Sequence, residues 1–336
     1  MPLESEYRAL RTGPALVDRS DRALLEVEGA DRAEWLHNLT SNQVKLLSPG
    51  EGNYAFVLNV QGRILFDINL FIRTDSIWID LDRRFVETAK GHFSKYTITE
   101  RVTLTDRTAG FTRLGLIGGR SGELLSALGA GNAPAMASLA QGAFPWRDTQ
   151  IEVMRHDFCG PLGFELFVPS AFSGDFKTAL LKGEFGQSVA PVSAETVEVL
   201  RVEAGIPWPG HEITDEYLPA ETGQLERAVS YQKGCYLGQE VVERMRSRAV
   251  VARQLVGLRL EGASVPPVPS ELLDENGKPI GRATSACRSL ALLGVIALGY
   301  VRTASSTAGT ALRIASDGGA LKAVVADLPF KSRAVS

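Results

Sequence analysis

Apolar and polar residues alternate over short stretches along most of this chain, the pattern of half-buried strands, with a few intervening runs of helical spacing. Residues 23–28 read as a strand ended by Gly29. Asp31, with Glu34 three positions on, then has the form of an N-cap opening a helix that buries Trp35, Leu36 and Leu39. His37 in that helix is expected at the surface or in a cap. Strands at 54–58 and 63–73 flank Asn59-Val60-Gln61-Gly62, a hairpin-type turn. In the second of these strands Ile64, Phe66, Ile68, Leu70 and Ile72 share a core face. The opposite face, with Asp67, Asn69 and Phe71, reads either as solvated, the default for an antiparallel strand, or as a surface that binds a heterocycle. A strand at 77–81 sets Trp78 and Asp80 against three aliphatic residues, and Phe85, Ala89, His92, Phe93 and Tyr96 follow at helical spacing.

Strands at 102–106 and 112–117 lead into Gly118-Gly119-Arg120-Ser121-Gly122, which lacks both G-x-G-x-x-G and a Walker lysine and reads as a strand-to-helix turn. Strands at 150–154 and 164–168 enclose a glycine-rich connector that delivers Glu165 either over a ligand or to a tight, solvated turn. Ser193 caps a helix carrying Val197, Leu200 and Ala204, stopped by Gly205 and Pro207. Beyond residue 251 the elements become short, regular strands, with Asn276-Gly277 as a hairpin turn, the pattern of a small barrel or sandwich.

Composition narrows the functional classes. At 336 residues, 44% hydrophobic and 22% charged, the chain has the make-up of an ordinary globular protein of two or three domains. A net charge of -3 argues against broad attraction to nucleic acid. No leader-like segment or membrane span is read, so a cytoplasmic protein is expected. Cys159, Cys235 and Cys287 form no C-x-x-C pair, and His211-Glu212 lacks the second histidine of H-E-x-x-H, so no metal site is expected. The most unusual stretch is Lys233-Gly234-Cys235-Tyr236-Leu237-Gly238-Gln239-Glu240. A helix starting near Gly238, together with Lys233, would favour a thiolate at Cys235; the alternative is a cysteine that only packs.

That octapeptide, with L-N-V-Q-G-R at 58–63, G-F-E at 163–165 and L-R-V-E-A-G-I-P at 200–207, resembles the glycine-cleavage T-protein superfamily. The octapeptide itself resembles the YgfZ-type branch, folate-binding proteins implicated in maturing or repairing iron–sulfur clusters. The resemblance implies an α+β fold, a T-protein-like folate-binding fold of two mixed α/β subdomains around a central cavity plus a small C-terminal β-barrel. The corresponding segments are 1–130, 131–250 and 251–336. It implies tetrahydrofolate, or a one-carbon derivative, as ligand. Tyr54 and Phe71 would be its aromatic contacts, Glu165 the carboxylate accepting from the pterin, and Asp80 would stand where the family has an asparagine. Asp67 would be the acid/base carboxylate, although Phe66 replaces the aspartate that precedes it in the family. Ala194-Glu195-Thr196 likewise departs from the family's Ala-Arg-Asp. Arg201, Arg244, Arg246 and Arg248 would meet the anionic tail or else form salt-bridged surface. The leading expectation is assembly or repair of iron–sulfur clusters in transient client or assembly proteins, with Cys235 as the reactive or cluster-contacting group and Lys233 assisting, and with no membrane or nucleic-acid partner. The alternatives are a folate-dependent aminomethyltransferase or N-demethylase-type one-carbon transfer enzyme, and a folate-binding module in which Cys235 is structural.

Overall fold

The computed structural model describes residues 2–248, 251–316 and 319–331. By its internal contacts the chain forms two compact units: Met1–Leu58, Phe66–Val197 and Glu226–Leu237 make the first, and Asn59–Leu65, Glu198–Leu225 and Gly238–Ser336 the second. Among the described residues no helix is long and apolar enough to cross a membrane.

The first unit holds a six-stranded sheet in the order Ala190–Val192, Ala15–Asp18, Phe111–Ile117, Gly163–Pro169, Thr149–Arg155, Gln141–Trp146. Alternation sorts its side chains. Leu114, Leu116, Phe164, Leu166 and Val168 enter one core cluster with Leu124, Phe176 and Leu180, contributed by the helices Ser121–Ala127 and Ser173–Lys182. Arg113, Gly115, Glu165 and Phe167 therefore share the other face, in the register Glu165 opposite Gly115 and Phe167 opposite Arg113. Gly115 leaves room for the Phe158 ring: a Cβ there would lie 2.7 Å from it, and the ring would have to shift.

A five-stranded sheet runs Gly52–Leu58, Ile64–Ile72, Ser76–Asp82, Arg22–Glu28, Thr103–Asp106. Phe66 on one face meets Phe93 of the helix Val86–Lys95, ring centroids 6.1 Å apart. The opposite face is not solvated. Phe71 and Trp78, register partners, both pack on Phe167 of the six-stranded sheet at 6.3 and 5.4 Å, so Asp67, Asn69 and Asp80 are buried with them. The usual half-wet antiparallel strand fails here because a second sheet covers the polar face.

Two local expectations also change. Asp31 makes no cap to the helix Arg32–Leu39; its carboxylate takes Arg101 instead. His37 is buried, and its Nδ1 accepts the Val44 N–H at 3.4 Å. The helices Pro2–Thr12 and Ser173–Lys182 and the strand Ala15–Asp18 are additional to the elements read from the pattern.

In the second unit, Arg253–Leu260, Gly294–Arg302, Pro279–Ser289, Ser270–Leu273, Ala311–Ile314 and Leu321–Ala326 close into a barrel in that order. Val256, Leu258, Ala283, Ala297, Leu312 and Ile314 fill it. The Asn59–Gly62 turn forms as its residues dictate. Asn59 Oδ1 accepts the N–H of Gln61 at 2.9 Å and of Arg63 at 3.0 Å, and Gly62 adopts a positive φ of 73°.

Candidate functional site

Between the two sheets of the first unit lies a continuous chain of buried charges. The Arg113 guanidinium donates to Asp80 Oδ1 at 2.9 Å and to Glu165 Oε2, joining one carboxylate from each sheet. Arg22 grips Asp80 with two bonds, at 3.2 and 2.6 Å, and Asn69 Nδ2 donates to the same carboxylate at 2.8 Å. Glu165 Oε1 meets Arg19 Nη1 at 3.3 Å and His156 Nδ1 at 2.8 Å. Phe167 lies under the Arg113 guanidinium at 3.7 Å and Phe158 under that of Arg19 at 4.0 Å. Burial alone would push both carboxylates up. Arg22 and Arg113 outweigh it at Asp80, and Arg19, Arg113 and His156 at Glu165, so both are held below the usual carboxylate range, Glu165 well below.

Asp67 sits in a different balance. Its Oδ2 accepts the Tyr54 hydroxyl at 2.7 Å, while among the described residues its Oδ1 is buried without a partner, as is Asn69 Oδ1. Burial dominates over the pull of Arg22 and the Tyr54 bond, so the Asp67 carboxyl is raised. Burial, and then the neighbouring Asp67, raise the Tyr54 phenol well above its ordinary value. Arg227 lies 4.1 Å over the Tyr54 ring. Two adjacent strand positions on one face thus present acceptor oxygens that the protein itself leaves unbonded.

The octapeptide is fastened to the end of the helix Arg32–Leu39. Lys233 Nζ donates to the carbonyl oxygens of His37, of Thr40 at 2.5 Å and of Asn42 at 2.9 Å. Leu237 N–H reaches the Asn38 carbonyl at 3.1 Å, and Ser41 Oγ donates to Ala228 O at 2.6 Å. Burial pushes the Lys233 ammonium down to about 7. The three carbonyls act the other way, since they accept three N–H donors that only the protonated amine supplies. Lys233 is thus a cation placed at a helix C-terminus, and its donors are spent on backbone instead of on the thiol. Cys235 is exposed, whereas Cys159 and Cys287 are buried with their thiols pushed up to about 12 by burial.

Residues 2–233 match the family model of the GCVT N-terminal domain, and residues 253–331 that of the glycine cleavage T-protein C-terminal barrel domain. The chain belongs to the glycine cleavage T-protein superfamily. An aminomethyltransferase of Symbiobacterium thermophilum is 29% identical over 342 residues, covering 97% of this chain and 88% of the relative. A putative chloroplastic transferase of Arabidopsis thaliana is 25% identical over 327 residues, covering 97% and 73%. The crystal structure of glycine cleavage system aminomethyltransferase T from Bartonella henselae shares the fold, with a TM-score of 0.88 at 22% identity, covering 98% of this chain and 89% of that one.

In this T-protein superfamily member the expected site residues separate into distinct groups. Tyr54 and Asp67 are bonded to each other. Asp80 and Glu165 are joined through Arg113, and neither has the free oxygens that a pterin acceptor or a solvated turn requires. Phe71 is 1% exposed and serves as core wall against Phe167. Arg201 belongs to the second unit and is fully enclosed there, donating to Glu198, to Glu212 Oε2 at 2.8 Å, to Ser285 Oγ at 2.5 Å and to Ile206 O at 3.3 Å. Its charge is met by Glu198 and Glu212, and its side chain is fully enclosed. Arg244 and Arg246 are exposed, Arg246 lying 3.8 Å from Glu243, and the Arg248 side chain lies outside the described residues. Arg19, Arg22, Arg113, His156 and Arg227 escaped the pattern reading. The available signal was an arginine within a strand at 113, followed by the apolar run Leu114-Gly115-Leu116-Ile117. Among the described residues no group of three potential ligands could hold a metal ion.

Arg113→Met should cost about 3–5 kcal/mol in urea unfolding, because it leaves two buried carboxylates short of a cation. The pH dependence has a definite sign. The depressed Asp80 and Glu165 contribute stability that is full above the ordinary carboxylate range and is lost as pH falls through their lowered values. Acid titration of the wild-type midpoint should show this loss, and Arg113→Met should blunt it. Lys233→Met, which strands three carbonyls, should cost about 1–3 kcal/mol in the same assay.

Proposed function

We propose that this chain binds tetrahydrofolate, or a one-carbon derivative of it, in the first unit, with Asp67 moving a proton. The observation that carries this reading is the unpartnered, buried Asp67 Oδ1 on a carboxyl whose burial favours the protonated form. The donor set fits a reduced pterin: its N–H groups match the acceptor oxygens Asp67 Oδ1 and Asn69 Oδ1, and the Tyr54 ring supplies a flat wall. Glu165 and Asp80 act indirectly, as the anions that hold Arg19, Arg22 and Arg113 in place. Tetrahydrofolate, when bound, supplies the nitrogens that carry a one-carbon unit. Tyr54 orients the Asp67 carboxyl through its hydroxyl, and Asp67, sheltered from water, exchanges a proton at Oδ1. Relatives named aminomethyltransferase across nearly the whole chain support one-carbon transfer as the reaction class.

A second reading rests on a separate observation. Cys235 is the exposed cysteine of the three and lies on a segment fastened in place by Lys233. This supports the YgfZ-type role, in which a folate-loaded protein assists iron–sulfur clusters of transient client or assembly proteins. Because a cluster needs about four protein ligands, a single cysteine would contact it only together with the partner's own ligands.

Calorimetric titration with tetrahydrofolate tests the shared core of both readings. Wild type should bind, and Asp67→Asn should bind about tenfold more weakly or worse, while gaining stability in the absence of ligand because a disfavoured buried carboxylate is removed. No binding by wild type would overturn both. Methylenetetrahydrofolate formed from an aminomethylated lipoyl carrier, and lost in Asp67→Asn, supports transfer. Defective iron–sulfur enzymes in a deletion strain, rescued by wild type and not by Cys235→Ala, support the second reading.

A further inference from the structure

Arg63, Arg253 and Arg302 line a cavity of about 750 Å³ in the second unit, with Leu218, Glu221 and Ile280 among its walls. Three observations mark it as more than a surface recess. Arg253 and Arg302 are direct register partners across the antiparallel strands Arg253–Leu260 and Gly294–Arg302. Like charges placed opposite each other in a sheet destabilise it. The heads are also held in place. The Glu216 carbonyl accepts Arg63 Nη1 at 2.6 Å and Arg253 Nη2 at 2.9 Å, and Arg253 lies 5.0 Å over the Tyr217 ring. Finally, the charge is only partly neutralised from within. Glu221, the one carboxylate lining the cavity, is committed to Arg253 at 3.2 and 3.4 Å and to the Leu218 N–H at 3.0 Å. The Glu216 carboxylate turns to Arg282 at 3.3 Å. Arg302 is exposed, and among the described residues its side chain makes no hydrogen bond or ion pair.

We propose that this cavity is a binding site for an oxyanion, a carboxylate or phosphate group carried on an apolar or aromatic body. Arginine forks suit both anions, and Leu218, Ile280 and neighbouring aliphatic wall suit the body and concentrate the field of the guanidiniums. The anion would separate the Arg253–Arg302 pair and meet donors that the protein leaves unused. Arg63 enters through the L-N-V-Q-G-R turn, which gives that segment a role independent of the folate reading.

Phenyl phosphate and isophthalate, titrated separately into the full-length protein at low salt and followed by calorimetry, test the proposal. At least one should bind and raise the thermal midpoint, with affinity falling as salt rises. Arg302→Ala, whose side chain loses no partner among the described residues, should keep the fold, raise the midpoint of the unliganded protein and weaken binding about tenfold or more. Arg244→Ala, outside the cavity, should bind as wild type does. A preference between the two probes identifies the anion as phosphate or carboxylate. Failure of both to bind, or equal binding by Arg302→Ala and wild type, would overturn the proposal.

Discussion

The Arg113 guanidinium, shared between Asp80 of one sheet and Glu165 of the other, is the contact on which the first unit depends. Each carboxylate is buried to a degree that would expel a lone charge, and each is tolerated only because arginines approach it from two directions. Phe167 beneath Arg113, with Phe71 and Trp78 packed on the same ring, turns the ion pair into a fixed spacer between the sheets. The same packing buries the polar face of the strand Ile64–Ile72.

Chemistry follows from how that chain of charges is filled. Asp80 and Glu165 have no free oxygen, so the acceptor capacity left to a ligand falls to Asp67 and Asn69, one strand position further along the same face. Asp67 is the carboxyl that the arginines do not fully compensate, and burial decides its proton affinity. The octapeptide is built on separate lines: an ammonium at a helix C-terminus secures the segment and leaves Cys235 outside. The Asp67 pair and the Cys235 segment are therefore held by independent contacts.

The C-terminal barrel was legible in the sequence because its strands are joined by local hairpins such as Asn276-Gly277, where turn chemistry and alternation agree. The Asn59–Gly62 turn was legible for the same reason. The site was only half legible. Asp67, Asn69 and Asp80 lie where period-two spacing puts them, but their burial depends on a second sheet whose strands come from between residues 15 and 192, and alternation within one strand carries no record of a covering layer. Arg22 and Arg113 went unread because a charged residue at a strand position defaults to solvent. Lys233 misled by proximity: it lies two residues from Cys235, yet its ammonium bonds carbonyls up to 196 residues away in sequence.

The central claim is that burial raises the Asp67 carboxyl while the arginines hold Asp80 and Glu165 below the usual carboxylate range. Carbon-13 NMR titration of the side-chain carboxyls, assigned with Asp67→Asn and Glu165→Gln, measures this directly. The account predicts Asp67 titrating above the ordinary aspartate range, Asp80 below it, and Glu165 well below the ordinary glutamate range. An Asp67 that titrates at or below its ordinary value, or a Glu165 that protonates with it, would contradict it.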